Sequence, residues 1–194
     1  MSDCFPKITT CLPGTQGTSL DIVRAYRNSA LLPRHKPYMA SMWKDGIYID
    51  HCAMEGLLSA GNIQGAPADA LVALLCHHGI PNVLKWVDDF CIFRSPSQSF
   101  HDCDDAPTQQ YSFDLNSIHE LTDPLGIPWH LIDVKGQDFA STVPYISFIW
   151  DLANHTVLLL EKKCTKYLSK VMKFQLLAWS KISCKDYQSI HGTL

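Results

Sequence analysis

Short apolar runs separated by turn residues dominate the first half of the chain. Residues 18–26 alternate apolar and polar positions and predict a strand that runs into a turn. Residues 42–50 predict one or two short strands that break at an Asp-Gly pair. Residues 83–93 are two β-rich runs on either side of Asp88-Asp89, which predicts a hairpin with two acids at its tip. These patterns favour antiparallel strands.

Helical spacing of apolar residues appears in three other segments. Residues 66–78 predict the clearest helix, because Pro67 suits a first turn and Gly79 can end it. Residues 114–121 and 161–177 predict two more helices. Helices therefore alternate with the predicted strands along the chain.

The remaining segments predict a loop and further strands. Residues 95–111 are polar and contain two prolines, so they predict a loop. Residues 129–134, 145–152 and 156–160 predict strands, and the last of these should pair back on the one before it. The order of strand, helix, hairpin, helix, strands and helices predicts an α+β fold, an antiparallel sheet with helices on one face, and not a doubly wound sheet.

Composition narrows the class of protein. Hydrophobic residues make up 46% of the 194 positions and charged residues 18%, which excludes a disordered chain and a coiled coil. No apolar run approaches the roughly 18 residues of a membrane span, so no membrane partner is predicted. The eight cysteines form no Cys-x-x-Cys pair and no secretory signal is visible, which predicts reduced thiols and an intracellular location, in the nucleus or the cytoplasm. His and Cys spacings match no standard finger, so no zinc is predicted.

Charge is unevenly distributed along the chain. Residues 95–134 contain seven acids and neither Lys nor Arg, whereas lysines crowd the C-terminal quarter. A basic segment of this kind can follow a phosphate backbone, and it can equally be a solvated helix face. The lysines predicted as backbone contacts are Lys162, Lys163, Lys166, Lys170 and Lys173.

Adjacent carboxylates at a hairpin tip repel each other, so Asp88-Asp89 needs a counterion or is an ordinary polar turn. A divalent cation such as Mg²⁺ prefers hard oxygen ligands of this kind. Asp21 also follows apolar strand residues and is the expected third carboxylate. Two cations about 4 Å apart would require Asp21 and Asp88 to lie within about 7 Å of each other.

Six segments occur in the order of the palm motifs of reverse transcriptases. They include an Asp followed five residues later by an aromatic residue, and an aromatic-x-Asp-Asp run. The segments are 20–26, 56–61, 86–89, 126–135, 145–150 and 160–163. The chain resembles the reverse transcriptase-like domains of retroelements, and is most similar to those of tyrosine-recombinase retrotransposons and related fungal proteins.

This resemblance implies a role for each matching residue. Asp21, Asp88 and Asp89 would hold two Mg²⁺ ions. Tyr26 would lie under the incoming sugar and exclude a 2′-hydroxyl, and Lys135 would be a general acid for the pyrophosphate leaving group.

Further positions would contact nucleotide and nucleic acid. Gly56 would allow close approach of template and nucleotide beside Glu55. The segment that carries Tyr145, Phe148 and Trp150 would hold the primer end, and the lysines named above would follow the duplex. The implied partners are an RNA or DNA template-primer and a deoxynucleoside triphosphate.

Domain limits follow from the same resemblance. Residues 1–17 would be a remnant of the junction between fingers and palm, 18–152 a palm, and 153–194 a partial thumb, with the fingers largely missing. Glu55 stands where the family carries Phe or Gln, and its charge would repel a triphosphate. The expected function is RNA-directed DNA polymerisation by ancestry, weak or absent in this chain. The alternative is a non-catalytic nucleic-acid-binding or interaction module left from a retroelement.

Overall fold

The computed structural model describes residues 9–54, 60–100, 108–177 and 183–184. Its principal helices are α1 (Ala60–His77), α2 (Leu115–Thr122) and α3 (Glu161–Leu177). The strands are β1 (Gln16–Asp21), β2 (Ala40–Trp43), β3 (Gly46–Ile49), β4 (Val83–Trp86), β5 (Asp89–Arg94), β6 (Gln98–Phe100), β7 (Thr108–Gln110), β8 (Gln137–Ala140), β9 (Thr142–Tyr145), β10 (Phe148–Asp151) and β11 (Thr156–Leu159). Short 3₁₀ helices span Ala25–Asn28, Pro33–Met39 and Asp123–Leu125.

The central sheet has the strand order β4-β5-β1-β8, and each of its pairs is antiparallel. The register between β1 and β5 places Asp21 directly opposite Asp89. A second sheet, β11-β10-β9, follows along the chain. These antiparallel sheets with packed helices confirm the α+β prediction.

Alternating residues of β5 pack against different layers. Phe90 and Ile92 join the buried cluster that includes α1 and α2 residues, whereas Cys91 and Phe93 join the cluster that includes Trp150. Strands covered on both faces carry nearly continuous apolar runs. This explains why residues 90–93 are apolar without alternation.

Helix α1 begins six residues before the predicted start, and Pro67 lies inside it rather than in its first turn. The buried positions of α1 recur at intervals of four, three and four residues; they are Gln64, Ala68, Leu71 and Leu75. This buried face starts before Pro67, so tertiary packing outweighs the cost of an internal proline.

The end of α1 follows the sequence prediction. Gly79 has φ +81° and follows the last helical turn, as a glycine C-cap requires. The Ile80 N–H donates to the Leu75 carbonyl at 2.9 Å, and the Gly79 N–H donates to the Cys76 carbonyl at 3.2 Å. Ile80 is buried beneath this cap.

Three strand predictions need correction. Residues 129–134 form an isolated bridge at Trp129 and a turn over 132–134 rather than a strand, and the sheet position is taken by β8. Residues 95–111 include the β6–β7 pair rather than only a loop. Residues 145–152 contain the last residue of β9, the Ile146-Ser147 turn and the whole of β10, because both turn residues adopt positive φ and reverse the chain.

The β2–β3 hairpin confirms the strands predicted over 42–50 and has large apolar side chains on both faces. The most exposed of them are Met42, Ile47 and Trp43.

No helix in the described ranges is both long and apolar enough to cross a membrane.

Candidate active site

Three carboxylates meet where two central strands end. Asp21 is the last residue of β1, Asp88 lies in the turn between β4 and β5, and Asp89 is the first residue of β5. One oxygen of each carboxylate lies within 4.8 Å of the others. The predicted proximity of Asp21 and Asp88 is therefore confirmed.

A strained turn presents Asp88. Trp86 pairs with Asp89, so Val87 and Asp88 form a two-residue hairpin turn. Val87 has φ +58°, a left-handed conformation that costs a non-glycine residue about 1–2 kcal/mol. The Ile22 N–H donates to the Asp88 carbonyl at 3.1 Å and ties this turn to the end of β1. Strain retained in this way is common at functional sites.

Asp21 is the most enclosed of the three acids, with a side chain that is 4% exposed. The Lys135 ammonium donates to its Oδ2 and lies 3.7 Å from Asp89 Oδ1. His130 Nε2 lies 3.4 Å from the other Asp21 oxygen, Oδ1. The backbone N–H of His130 also donates to the backbone carbonyl of Asp21 at 2.8 Å. Residues 130–135 therefore hold Asp21 from its backbone to both carboxylate oxygens.

Crowding of the acids changes proton affinities. Burial, a hydrogen bond with Asp21 and the nearby Asp21 and Asp88 charges raise the pKa of Asp89 to about 6, although Lys135 acts in the opposite direction. Burial by itself lowers the pKa of Lys135, but its hydrogen bond to Asp21 and the acidic charges outweigh this and raise that pKa. Lys135 therefore stays protonated at neutral pH.

The raised pKa of Asp89 predicts a pH-dependent cost to the metal-free fold. Asp89 holds its proton more tightly in the folded state than in the unfolded chain, so folding free energy is lost as pH rises from about 4 to about 6. Its side chain is 38% exposed, so solvent screening reduces the loss to about 1 kcal/mol. Asp89→Asn should therefore match the wild type in stability at pH 3.5 and exceed it by about 1 kcal/mol at pH 7.

Denaturant unfolding with a chelator present measures this difference at both pH values. Asp138→Asn, on an exposed strand position, is the matched control and should show no such pH-dependent gain. A wild type more stable than Asp89→Asn at pH 7 would contradict the prediction.

An open cleft of about 390 Å³ lies in front of the acids. Its walls include Asp21, Asp89 and Lys135 on one side and the Tyr145–Ser147 turn on the other. Gly136 also lines the cleft with φ +134°, and a Cβ there would lie 2.8 Å from the Ser19 carbonyl oxygen. Only glycine allows β8 to approach β1 this closely directly after Lys135.

The donor set fits a hard divalent cation. Three carboxylates with oxygens this close offer the ligands that Mg²⁺ or Mn²⁺ prefers, and none is a soft sulfur or nitrogen ligand. Asp21, Asp88 and Asp89 could together hold such a cation, although their chemistry does not select one metal.

No protein-family model and no curated protein matches the sequence. Solved structures do match. The foamy viral protease-reverse transcriptase in complex with an RNA/DNA hybrid has a TM-score of 0.65 and 15% identity, over 98% of this chain and 22% of that one. The same viral protein in complex with double-stranded DNA has a TM-score of 0.62 and 16% identity, over 97% of this chain and 34% of that one. The chain has a reverse transcriptase-like fold. It spans about a fifth to a third of the length of these structures.

Within this reverse transcriptase-like fold, the predicted primer-end residues lie mostly in the core. Tyr145 and Trp150 are 4% and 2% exposed, and the Trp150 indole N–H donates to the Tyr145 carbonyl at 3.1 Å. Phe148 is half-buried. Tyr145 and Trp150 therefore support the Ile146–Ser147 turn, whose two residues are half-buried.

Predicted nucleotide contacts are described only in part. Tyr26 lines a separate cavity of about 320 Å³ together with Arg24 and Arg27, the latter paired with Asp50. Arg24 also has a positive φ. Its positively charged guanidinium lines this cavity, three positions after Asp21 in the sequence. The predicted positions 55 and 56 lie outside the described residues.

The predicted basic face is present on α3. At 100° per residue its lysines fall within an arc of about 100°, and they are Lys162, Lys163, Lys166, Lys170 and Lys173. Leu168 and Met172 lie on another side of the helix and are also exposed.

His130 is the site residue that sequence reasoning missed. It adjoins Trp129, which pairs with Ile22 in an isolated bridge, so the chain passes beside the end of β1 at this point. The prediction of a strand over 129–134 concealed it, because alternation in a strand would have pointed His130 and Lys135 to opposite faces. The turns actually present bring both side chains to Asp21.

Proposed function

We propose that this chain is a nucleic-acid-binding polymerase palm, descended from an RNA-directed DNA polymerase that transfers nucleotides with divalent cations. One observation carries the proposal: three acids converge at adjoining strand ends of a reverse transcriptase-like fold. Phosphoryl transfer needs mainly positioning and charge neutralisation, so a small set of carboxylates is enough to support it.

Each group of the site has a proposed task. Asp21, Asp88 and Asp89 hold the cations, for which Mg²⁺ is the proposed identity. Bound cations would neutralise the charge on the reacting phosphates. His130 orients Asp21, and Lys135 keeps a proton at the cleft for the pyrophosphate leaving group. Tyr26 would contact the sugar of a deoxynucleoside triphosphate.

The proposal extends to ancestry and partners. The structural neighbours were solved with an RNA/DNA hybrid and with double-stranded DNA, which supports a duplex as the partner of this fold. The residues that make up these motifs favour a retroelement origin, because they are most similar to those of tyrosine-recombinase retrotransposons. We propose a palm over 18–152 and the start of a thumb over 153–194, preceded by a short junction over 1–17.

A non-catalytic binding module is the second candidate. Lys135 already contacts Asp21 and lies near Asp89, so an ammonium group can balance the acids without a divalent cation. In this case the cleft and α3 would bind nucleic acid, and no nucleotide would be transferred.

Salt dependence of binding tests the contact between α3 and a duplex. Each phosphate contact contributes about −0.9 to the slope of log affinity against log salt on B-form DNA. Replacing Lys162, Lys166, Lys170 and Lys173 with Gln should therefore flatten the slope by about 3.6 units. Fluorescence anisotropy with labelled double-stranded DNA measures it, and an RNA/DNA hybrid provides a second substrate.

A charge-matched control replaces Arg34, Lys36, Lys44 and Lys85 with Gln, which removes four positive charges away from α3. The control should keep most of the slope. An unchanged slope in the α3 variant, or an equal loss in the control, would return the α3 lysines to a solvated face.

A further inference from the structure

We propose that Lys135 and a divalent cation exclude each other at the three acids, so that Lys135 sets the cation affinity of this site. The inference rests on the proposed function, because it takes Asp21, Asp88 and Asp89 as the cation ligands. It adds a second state of Lys135, in which the ammonium group leaves Asp21 for the cleft when a cation binds.

The Lys135 ammonium lies where two of the acids meet. It donates to Asp21 Oδ2 and lies 3.7 Å from Asp89 Oδ1. The register between β1 and β5 sets Asp21 opposite Asp89, so the two carboxylates flank the same point at the end of the strands. The ammonium therefore contacts the oxygens that a cation shared by these two strands would need.

Distance and charge make joint occupancy unfavourable. Mg²⁺ binds carboxylate oxygens at about 2.0–2.1 Å. An ion on Asp89 Oδ1 would lie no farther than about 6 Å from the Lys135 ammonium, because that ammonium is 3.7 Å from the same oxygen. Two like charges, one of them double, repel each other strongly at this separation in a partly enclosed cleft. Cation binding therefore requires the ammonium to move away.

Of the two side chains that contact the Asp21 carboxylate, Lys135 is the one that can leave. Its side chain is 51% exposed, so the ammonium can turn towards solvent and keep its hydration. Its backbone can stay in place, since the Lys135 N–H donates to the Leu131 carbonyl at 3.0 Å. His130 is less exposed, and its backbone N–H is bonded to Asp21 itself. Only the flexible four-carbon stem of Lys135 has to move.

A purely structural ion pair is the alternative role for Lys135. Its removal would then lower the stability of the chain equally with and without cations, and would leave cation affinity unchanged. Exclusion predicts a change in affinity. If the ammonium holds Asp21 in more than about nine-tenths of the molecules, it weakens the apparent cation affinity at least about tenfold.

Lys135→Met separates the two roles. Isothermal titration calorimetry of the full chain with Mg²⁺ should show at least about tenfold tighter binding by this variant than by the wild type. Lys135→Arg keeps a competing positive charge and should bind no more tightly than the wild type. Lys85→Met is the matched control, because Lys85 forms its ion pair with Asp69 at 2.8 Å and not with the acids. It should bind Mg²⁺ as the wild type does.

A second measurement follows the ammonium itself in the wild type. The NMR cross-peak of the Lys135 NH₃⁺ group, assigned by its loss in Lys135→Arg, should be visible without cations because the ion pair slows its exchange with water. It should disappear during titration with Mg²⁺, at the midpoint that calorimetry gives.

Each outcome has a separate meaning. A Lys135 cross-peak that persists at saturating Mg²⁺, or equal affinities of Lys135→Met and the wild type, would overturn the exclusion and leave the proposed function intact. Absence of Mg²⁺ binding by the wild type and by all three variants would contradict the three-acid site, and with it both the exclusion and the proposed function.

Discussion

Replacing Asp88 with Asn should abolish the stabilisation of this chain by divalent cations. The three acids have oxygens within 4.8 Å of one another, and removal of one carboxylate takes away both a ligand and a negative charge from that set. A cation that binds only the folded state at 100 times its dissociation constant stabilises it by about 2.7 kcal/mol. At the same concentration the variant should gain almost nothing.

Thermal unfolding with and without Mg²⁺ or Mn²⁺ measures this effect. Without cations, Asp88→Asn should be at least as stable as the wild type, because Asp88 adds negative charge beside Asp21 and Asp89. A loss limited to the cation response therefore separates metal binding from damage to the fold.

Asp45→Asn is the matched control, since Asp45 lies in the exposed turn between β2 and β3. It should respond to cations as the wild type does. Equal stabilisation of Asp88→Asn and the wild type would mean that the cations bind away from the three acids, and would remove the main support for the proposed function.

The second large effect concerns primer extension. We expect the 194-residue chain to extend a primer weakly or not at all, because the structures that it matches are about three to five times longer. Holding the reacting groups in line can provide about 7–11 kcal/mol of a reaction barrier. A fusion with the fingers of a related full-length reverse transcriptase, combined with Glu55→Phe, should gain cation-dependent extension of a DNA primer on an RNA template.

Gel analysis of extension products measures this gain, and two further fusions serve as controls. The fusion that keeps Glu55 should be less active, because a negative charge near a triphosphate is repulsive. The fusion with Glu55→Phe and Asp88→Asn should be inactive. Strong extension by the unmodified chain would show that the expected deficit is wrong, whereas an inactive repaired fusion would favour the non-catalytic binding module.

Local sequence information determined the elements whose signals are short-range. The Asp88-Asp89 hairpin followed from two β-rich runs around a two-residue turn, and helix α3 occupies the predicted residues. Gly79 ended α1 as predicted, because a left-handed C-cap is a property of one residue and its neighbours. The motif order also placed Asp21 with Asp88 before any contact was known.

Only the tertiary structure decided the elements that depend on distant partners. Strand β8 contains polar residues and pairs with β1 across more than a hundred positions, so no local pattern revealed it. Likewise, α1 extends past an internal proline because its buried face continues to Gln64. The tertiary structure also decided the environment of Trp150, which is buried in the core.

The site around Asp21 shows both what the sequence determined and what the tertiary structure determined. Residue types and their place in the predicted strands identified the three acids, and the resemblance to the reverse transcriptase motifs added Lys135. The contact of His130 with Asp21, the raised pKa of Asp89 and the strain at Val87 arise from how β1, β5 and residues 130–135 pack together. Local patterns predict which side chains can react, while distances, burial and proton affinities exist only once the chain has folded.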